Sequence, residues 1–141
     1  MGAGTRGQSG DVPRALPGSV AIDELAPGVV LYKMSGYLDG GFVPRFEEAA
    51  AAQVARGHHV DLFFDTDRMT GYHPEFRRRM TAWHIALKPQ TRSLNVLVKS
   101  KLIAMAISVV NLFTGGMLKS FSTHAAFDAA MRAAIERARA E

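Results

Sequence analysis

The sequence predicts an α/β protein in which a small, mostly parallel sheet is covered by four helices. Two observations carry this prediction. Segments rich in β-branched and aromatic residues alternate with segments whose apolar residues recur at helical spacing. Residues 59–79 also hold a strand, a polar turn and a helix start in one continuous stretch. The predicted order is β-β-α-β-α-β-α-β-α, and such alternation implies right-handed crossovers between parallel strands.

The chain is predicted to open with a leader and an antiparallel hairpin. Residues 1–18 contain five glycines and two prolines with little apolar content, which is typical of a flexible leader. A single domain is expected over residues 19–141, because a chain of 141 residues suffices for one core. Pro27 and Gly28 mark the turn between two strands, and the second of these strands covers residues 29–34.

The helices are identified by their apolar stripes and their ends. The first follows Asp39, which can accept hydrogen bonds from the first amides of a helix, and it ends at Gly57. The second begins at Pro74, which fixes φ where a helix can start. The stripes of the first, second and fourth helices are Phe42, Phe46, Ala50 and Val54; Phe76, Met80, Trp83 and Leu87; and Phe127, Met131, Ile135 and Ala138.

The third helix, residues 102–113, is apolar on nearly every side, and Ser100 is placed to cap it. Its 12 residues fall short of the roughly 20 that a membrane-spanning helix requires, so the chain is not expected to span a membrane. Three interpretations remain open: the helix is sealed in the core, it packs on a second subunit in a homodimer, or it lines a pocket for an apolar ligand. The residues predicted to form the interface or pocket are Met105, Ile107, Val110 and Phe113.

Positive charge is concentrated in the middle of the chain. The net charge of +4 is modest, and nucleic acid is not an expected partner. Residues 66–101, however, carry eight Lys and Arg against two Asp and Glu. Two interpretations follow: solvated helix faces, or a basic surface that meets an acidic protein, a phosphate or a lipid head group.

Residue types that would support catalysis or cofactor binding do not form a known pattern. There is no cysteine, and the five histidines form no His-x-x-x-His pair, so neither a disulfide nor a metal site is expected. Gly115 and Gly116 follow a helix, the wrong order for a phosphate-binding loop. His73 could lie beside Asp65 and Asp67, but no nucleophile stands near this acid/base arrangement. The sequence therefore predicts a protein without cofactor or enzyme activity.

Several short motifs, in their order and spacing, resemble the SpoIIAA-like branch of the STAS superfamily, the fold of bacterial anti-sigma-factor antagonists. The resemblance covers residues 20–140, and that fold is itself similar to the CRAL-TRIO lipid-transfer fold. The motifs are Met34-Ser35-Gly36, Leu62-Phe63-Phe64-Asp65, Met69-Thr70-Gly71-Tyr72, Val96-Leu97-Val98 and the turn from Phe121 to Phe127.

The resemblance implies a bacterial, cytoplasmic signalling protein that binds a protein partner and is not an enzyme. Antagonists of this family are phosphorylated on a Ser or Thr before the second helix, and Thr70-Gly71 occupies that place here. This sequence departs from the family's Asp-Ser-Ser-Gly, because it reads Arg68-Met69-Thr70-Gly71. Thr70 is thus the candidate phosphorylation site, with satisfaction of loop amides as its alternative role.

The expected function is regulatory protein–protein interaction, with transport or sensing of a small apolar or lipid-like ligand as the alternative. Loops at the carboxyl ends of parallel strands are where ligands and partners bind, so the site is expected at that edge of the sheet. The predicted partner-binding rim consists of Asp65, Asp67, Arg68, Thr70, Tyr72, His73, Arg77, Lys99 and Lys101.

Overall fold

The computed structural model describes residues 17–141, and its strands and helices follow one another in the predicted order. They are β1 (Ser19–Ala26), β2 (Val29–Leu38), α1 (Val43–Ala55), β3 (Val60–Tyr72), α2 (Pro74–Leu87), β4 (Thr91–Leu97), α3 (Lys101–Phe113), β5 (Leu118–Phe121) and α4 (His124–Ala140). Short 3-10 turns at Gly40–Phe42 and Lys88–Gln90 precede α1 and follow α2. The predicted α/β fold class is confirmed.

The predicted leader lies outside the described residues, apart from its last two positions. Pro17 forms an isolated parallel bridge with Tyr37 of β2. Gly18 packs so closely that a Cβ added there would lie 2.2 Å from the carbonyl oxygen of Tyr37.

The five strands form one sheet in the order β1-β2-β3-β4-β5. β1 and β2 are antiparallel, and every other pair is parallel. Gly28 makes the hairpin turn with a φ of +80°, and its amide donates to the side-chain oxygen of Gln53 over 2.9 Å. Each parallel strand lies next to its predecessor, so the connecting helices α1, α2 and α3 lie on the same face of the sheet.

An aromatic cluster holds α1 and α2 against this face. Tyr32 and Phe64 of neighbouring strands stack with ring centroids 4.8 Å apart, and Phe46 and Trp83 pack around them. The Tyr32 hydroxyl donates to the carbonyl oxygen of Phe46 over 2.9 Å, so its polar atom is satisfied. Burial raises the pKa of Tyr32 above its usual range. The largest core of the protein therefore lies between α1, α2 and the centre of the sheet.

The opposite face of the sheet is covered by α4. Phe127 of α4 meets Phe63 of β3 with ring centroids 5.7 Å apart. At the amino end of the strands, the buried carboxylate of Asp61 accepts from the Ser93 hydroxyl at 2.5 Å and from the Arg137 guanidinium at 3.2 Å. Because a buried carboxylate is costly unless it is hydrogen-bonded, these contacts tie α4 to the sheet instead of forming a free site.

Candidate functional site

Strand β3 is longer than the sequence predicts. The predicted polar turn after Phe64 is wrong, because residues 65–72, called here the β3 extension, continue the strand to Tyr72. β2 runs beside this segment to Leu38 and pairs with it through two irregularities in register. Pairing with β2 thus overrides the turn preference of the Asp and Thr residues.

The β3 extension has a neighbouring strand on one side only. β4 ends at Leu97, which is paired with Asp65, so residues 66–72 pair only with β2 within the described part of the chain. Thr66 closes the end of β4 by donating its hydroxyl to the carbonyl oxygen of Leu97 over 2.6 Å. The other edge of the extension therefore has no partner strand at the carboxyl end of the sheet, and the amide of Asp67 donates to the Oδ1 atom of Asp65 over 3.0 Å.

A histidine and a carboxylate meet beside the β3 extension on the α4 side. His124, the first residue of α4, lies with its Nε2 atom 3.1 Å from the Oδ2 atom of Asp67. This hydrogen bond, followed by the positive charge of Lys99, lowers the pKa of Asp67. Sequence reasoning places His73 beside Asp67 and misses His124, because His124 follows Asp67 by 57 positions and only the fold brings the two together.

His73 instead caps the start of α2. Its Nδ1 atom accepts from the amide of Glu75 over 3.0 Å, and Pro74 occupies the first helical turn as predicted. Glu75 pairs with Arg78 and with Arg79, and these contacts lower the pKa of its carboxyl. The imidazole of His73 is thus engaged in a structural role.

The third helix is only partly buried. Ile103 and Val110 face the sheet, whereas Leu102, Met105, Leu112 and Phe113 are 49%, 70%, 82% and 61% exposed. Of the three interpretations of this helix, complete burial in the core is wrong, since these four side chains are exposed. The predicted cap is confirmed, because the Ser100 hydroxyl oxygen accepts from the amide of Ile103 over 3.2 Å.

The predicted interface residues of α3 divide between two faces of the helix. Ile107 and Val110 point toward the core, and Met105 and Phe113 point away from it. A single interface or pocket can therefore include Ile107 and Val110, or Met105 and Phe113, but not all four residues.

A cavity of about 70 Å³ lies between α2, α3 and the sheet. It is lined by apolar side chains that include Met34, Met69, Tyr72, Ile103 and Ile107, and by the ring of His84. Sites for drug-sized ligands have volumes of roughly 300–1,000 Å³, so this space is too small for an acyl chain. The geometry gives the ligand-carrier alternative no support.

His84 is a buried histidine that sequence reasoning did not identify. Its ring stacks on Trp83 with centroids 4.8 Å apart, and within residues 17–141 it has no hydrogen-bond partner. Burial lowers the pKa of His84 to about 4, so the ring is neutral at pH 7. No sequence motif marks this position, because its burial results from the packing of α3 across α2.

Comparison with known proteins identifies the architecture. No protein-family model and no curated protein matches the chain. Solved structures that are similar to it include a protein of the DUF3478 family with a SpoIIAA-like fold from Shewanella loihica PV-4, an anti-sigma factor antagonist from Mycobacterium paratuberculosis, and the phosphorylated form of the Bacillus cell fate determinant SpoIIAA. Their TM-scores are 0.58, 0.59 and 0.59, at sequence identities of 16%, 19% and 13%. The matches cover 89%, 86% and 79% of this chain and 99%, 97% and 99% of those chains.

The chain has the SpoIIAA-like fold. In this fold the rim residues distribute over the carboxyl edge of the sheet. Thr70 and Arg68 are exposed on the β3 extension, Lys99 and Lys101 are exposed at the start of α3, and Arg77 lines the cavity. The residues of the predicted rim thus lie along one edge of the sheet, and His124 lies there beside Asp67.

The described residues contain neither a metal-binding cluster nor a membrane-crossing helix. Within residues 17–141, no three His, Asp or Glu side chains gather as they would around a metal ion. In the same range, every helix is too short or too polar to cross a bilayer.

Proposed function

We propose that this protein is a regulatory protein–protein interaction domain that acts by binding and carries out no catalysis. The observation that carries the proposal is the edge of the β3 extension that has no partner strand within residues 17–141, at the carboxyl end of a SpoIIAA-like sheet. The Mycobacterium paratuberculosis protein of the same fold is an anti-sigma factor antagonist, which supports a similar role here. We also propose a bacterial cytoplasmic location, since the similar structures come from bacteria.

Recognition begins at the backbone of the β3 extension. Free N–H and C=O groups on a strand edge can pair with an extended segment of a partner, which provides affinity without depending on side chains. Asp67, Arg68 and Thr70 are exposed along the extension and provide specificity. Lys99 and Lys101 extend the contact surface to the start of α3.

Phosphorylation of Thr70 would regulate this contact. Thr70 is exposed, and its hydroxyl forms no hydrogen bond with any residue in the range 17–141, whereas the hydroxyl of Thr66 is buried and bonded to Leu97. The Bacillus protein of the same fold has been solved in a phosphorylated form. A phosphate adds roughly −1.5 to −2 charges, so modification at Thr70 would change the charge of the docking edge beside Arg68.

The proposal is tested by measuring a partner's affinity for matched variants. Proteins that bind the immobilised full chain are identified by quantitative mass spectrometry, and the most enriched one is purified for calorimetry. Arg68→Glu and Thr70→Glu should weaken its binding about tenfold or more, because each reverses or adds charge at the docking edge. The control is Arg132→Glu, an equal charge reversal at an exposed position of α4.

Two results would contradict the proposed function. In one, no protein binds above background under any condition. In the other, a partner binds Arg68→Glu and Thr70→Glu as tightly as the unmodified chain, while Arg132→Glu abolishes binding.

A further inference from the structure

The outward side of α3 presents an apolar surface that no part of residues 17–141 covers. We call Leu102, Met105, Leu112 and Phe113 the α3 face. Ser108 is the exposed hydroxyl on this side, and it already donates to the carbonyl oxygen of Ala104 over 3.1 Å. The outward side of α3 therefore combines exposed apolar side chains with a polar group whose hydrogen bond is made within the helix.

The sequence around the α3 face contains no acidic residue. Between Glu75 and Asp128 there is no Asp or Glu, whereas eight Lys and Arg residues occur. Arg78 and Arg79 pair with Glu75, and Arg92 pairs with Glu141. The other five form no ion pair with any residue in the range 17–141: Arg77, Lys88, Lys99, Lys101 and Lys119.

Lysine side chains lie at both ends of the α3 face. Lys101 is the first residue of α3, and Lys99 precedes it by two positions. The ammonium group of Lys88 lies beside Gly115, just past the carboxyl end of the helix, where a Cβ on Gly115 would be 2.9 Å from it. Lysines at the amino end of a helix oppose its dipole, so Lys99 and Lys101 would be stabilised by a neighbouring anion.

We propose that α3 is a peripheral contact for the surface of an anionic lipid bilayer. The helix lies in the plane of the interface, with the α3 face entering the boundary between head groups and acyl chains, and Lys88, Lys99 and Lys101 meeting lipid phosphates. Thirteen residues span about 20 Å, so the helix rests on the membrane and does not cross it. This inference goes beyond the protein-binding role of the β3 extension and does not depend on it.

The surrounding charge favours a membrane over a second copy of this chain. Two α3 faces in contact would bring together Lys88 and Lys101, which form no ion pair within residues 17–141, and like charges brought together repel each other. A protein partner would be expected to form about one hydrogen bond per 100–200 Å² of interface, but the four side chains of the α3 face carry no hydrogen-bonding N–H, O–H or carbonyl group. An anionic bilayer is compatible with both the apolar α3 face and the lysines at its ends, because its interior accepts apolar side chains and its phosphates attract lysines.

The test is sedimentation of the full chain with lipid vesicles. We expect binding to phosphatidylcholine vesicles that contain phosphatidylglycerol, and little binding to pure phosphatidylcholine. Leu112→Asp and Met105→Asp should each reduce binding about tenfold or more, because an ionised side chain resists transfer into the apolar boundary. Lys101→Gln should reduce it about fivefold, and raising the salt from about 0.1 M to 1 M should release the protein.

The matched control is Ala129→Asp, which adds the same charge at an exposed position of α4 across the sheet from α3. It should bind as the unmodified chain does, and all four variants should keep the unmodified melting temperature. The proposal is overturned if anionic vesicles are not bound, if neutral vesicles are bound equally well, or if Ala129→Asp loses as much binding as Leu112→Asp. It is also overturned if sedimentation without lipid shows a dimer that Leu112→Asp converts to a monomer, since a second copy would then cover the α3 face.

Discussion

Helices α2 and α3 follow neighbouring strands and lie on the same face of the sheet, yet they bury their apolar residues to different extents. α2 carries three arginines in its first half and still buries Phe76, Met80 and Trp83. α3 is apolar along almost its whole length and buries only Ile103 and Val110. Burial is therefore not decided by how apolar a helix is.

Position in the sheet accounts for the difference. α2 contacts both α1 and α3 and lies over the central strands. α3 contacts α2 and β3, and the strand that follows it, β5, has only four residues. A helix in the middle of this layer is enclosed by its neighbours, whereas the last helix of the layer keeps an open side.

The largest expected effect concerns the enclosed helix. Trp83→Ala should lower the free energy of unfolding by about 3–5 kcal/mol, because a buried indole is lost and a cavity remains among Tyr32, Phe46 and Phe64. Urea denaturation at pH 7 measures this loss. A loss below about 1 kcal/mol would mean that the stripe of α2 is not packed as described.

Acid should destabilise the protein through His84, the buried imidazole of α2. Its pKa is lowered from 6.5 to about 4 in the folded chain, so between these values the unfolded chain binds a proton that the folded chain does not. Stability is therefore lost as the pH falls from about 6.5 to 4, by roughly 3 kcal/mol from this group. Urea denaturation across this range should show a shallower pH dependence for His84→Leu, and parallel curves would exclude the effect.

A smaller effect is expected at Thr66, which lines the cavity between α2 and α3. Thr66→Val should cost about 1 kcal/mol, because the carbonyl oxygen of Leu97 loses its hydroxyl donor. Thr70→Val is the matched control on the same strand, and it should change the unfolding free energy by less than about 0.5 kcal/mol. Equal losses at both positions would contradict the assignment of Thr66 as structural and Thr70 as free.

The smallest effect is expected on the exposed side of α2. Arg78 is mostly exposed and pairs with Glu75 one helical turn away. Arg78→Ala should therefore change the unfolding free energy by less than about 0.5 kcal/mol, as surface ion pairs contribute little. A loss above about 2 kcal/mol in urea denaturation would show that this side of α2 is covered in solution.

Local sequence patterns were enough to predict the helices and strands, because each pattern depends on residues that are close together in the chain. The stripe through Trp83, the start at Pro74 and the cap at Ser100 each depend on a few positions, and the structure shows all three. The SpoIIAA-like fold followed from the order of these elements.

Contacts that depend on distant residues could not be predicted in the same way. Asp65 and Asp67 favour a turn by themselves, but pairing of the β3 extension with β2 keeps the strand extended. The contact between Asp67 and His124 needs the strand order, and the open side of α3 needs the position of the helix in its layer. An apolar helix has the same sequence pattern whether its outer side is enclosed or open.

The most direct test of this account compares one substitution on each side of α3. Ile103→Asp places a charge against the sheet, and Leu112→Asp places the same charge on the outward side. The account predicts that Ile103→Asp lowers the free energy of unfolding in urea by more than about 3 kcal/mol, and that Leu112→Asp changes it by less than about 0.5 kcal/mol. Equal losses would contradict it, because α3 would then have no free side.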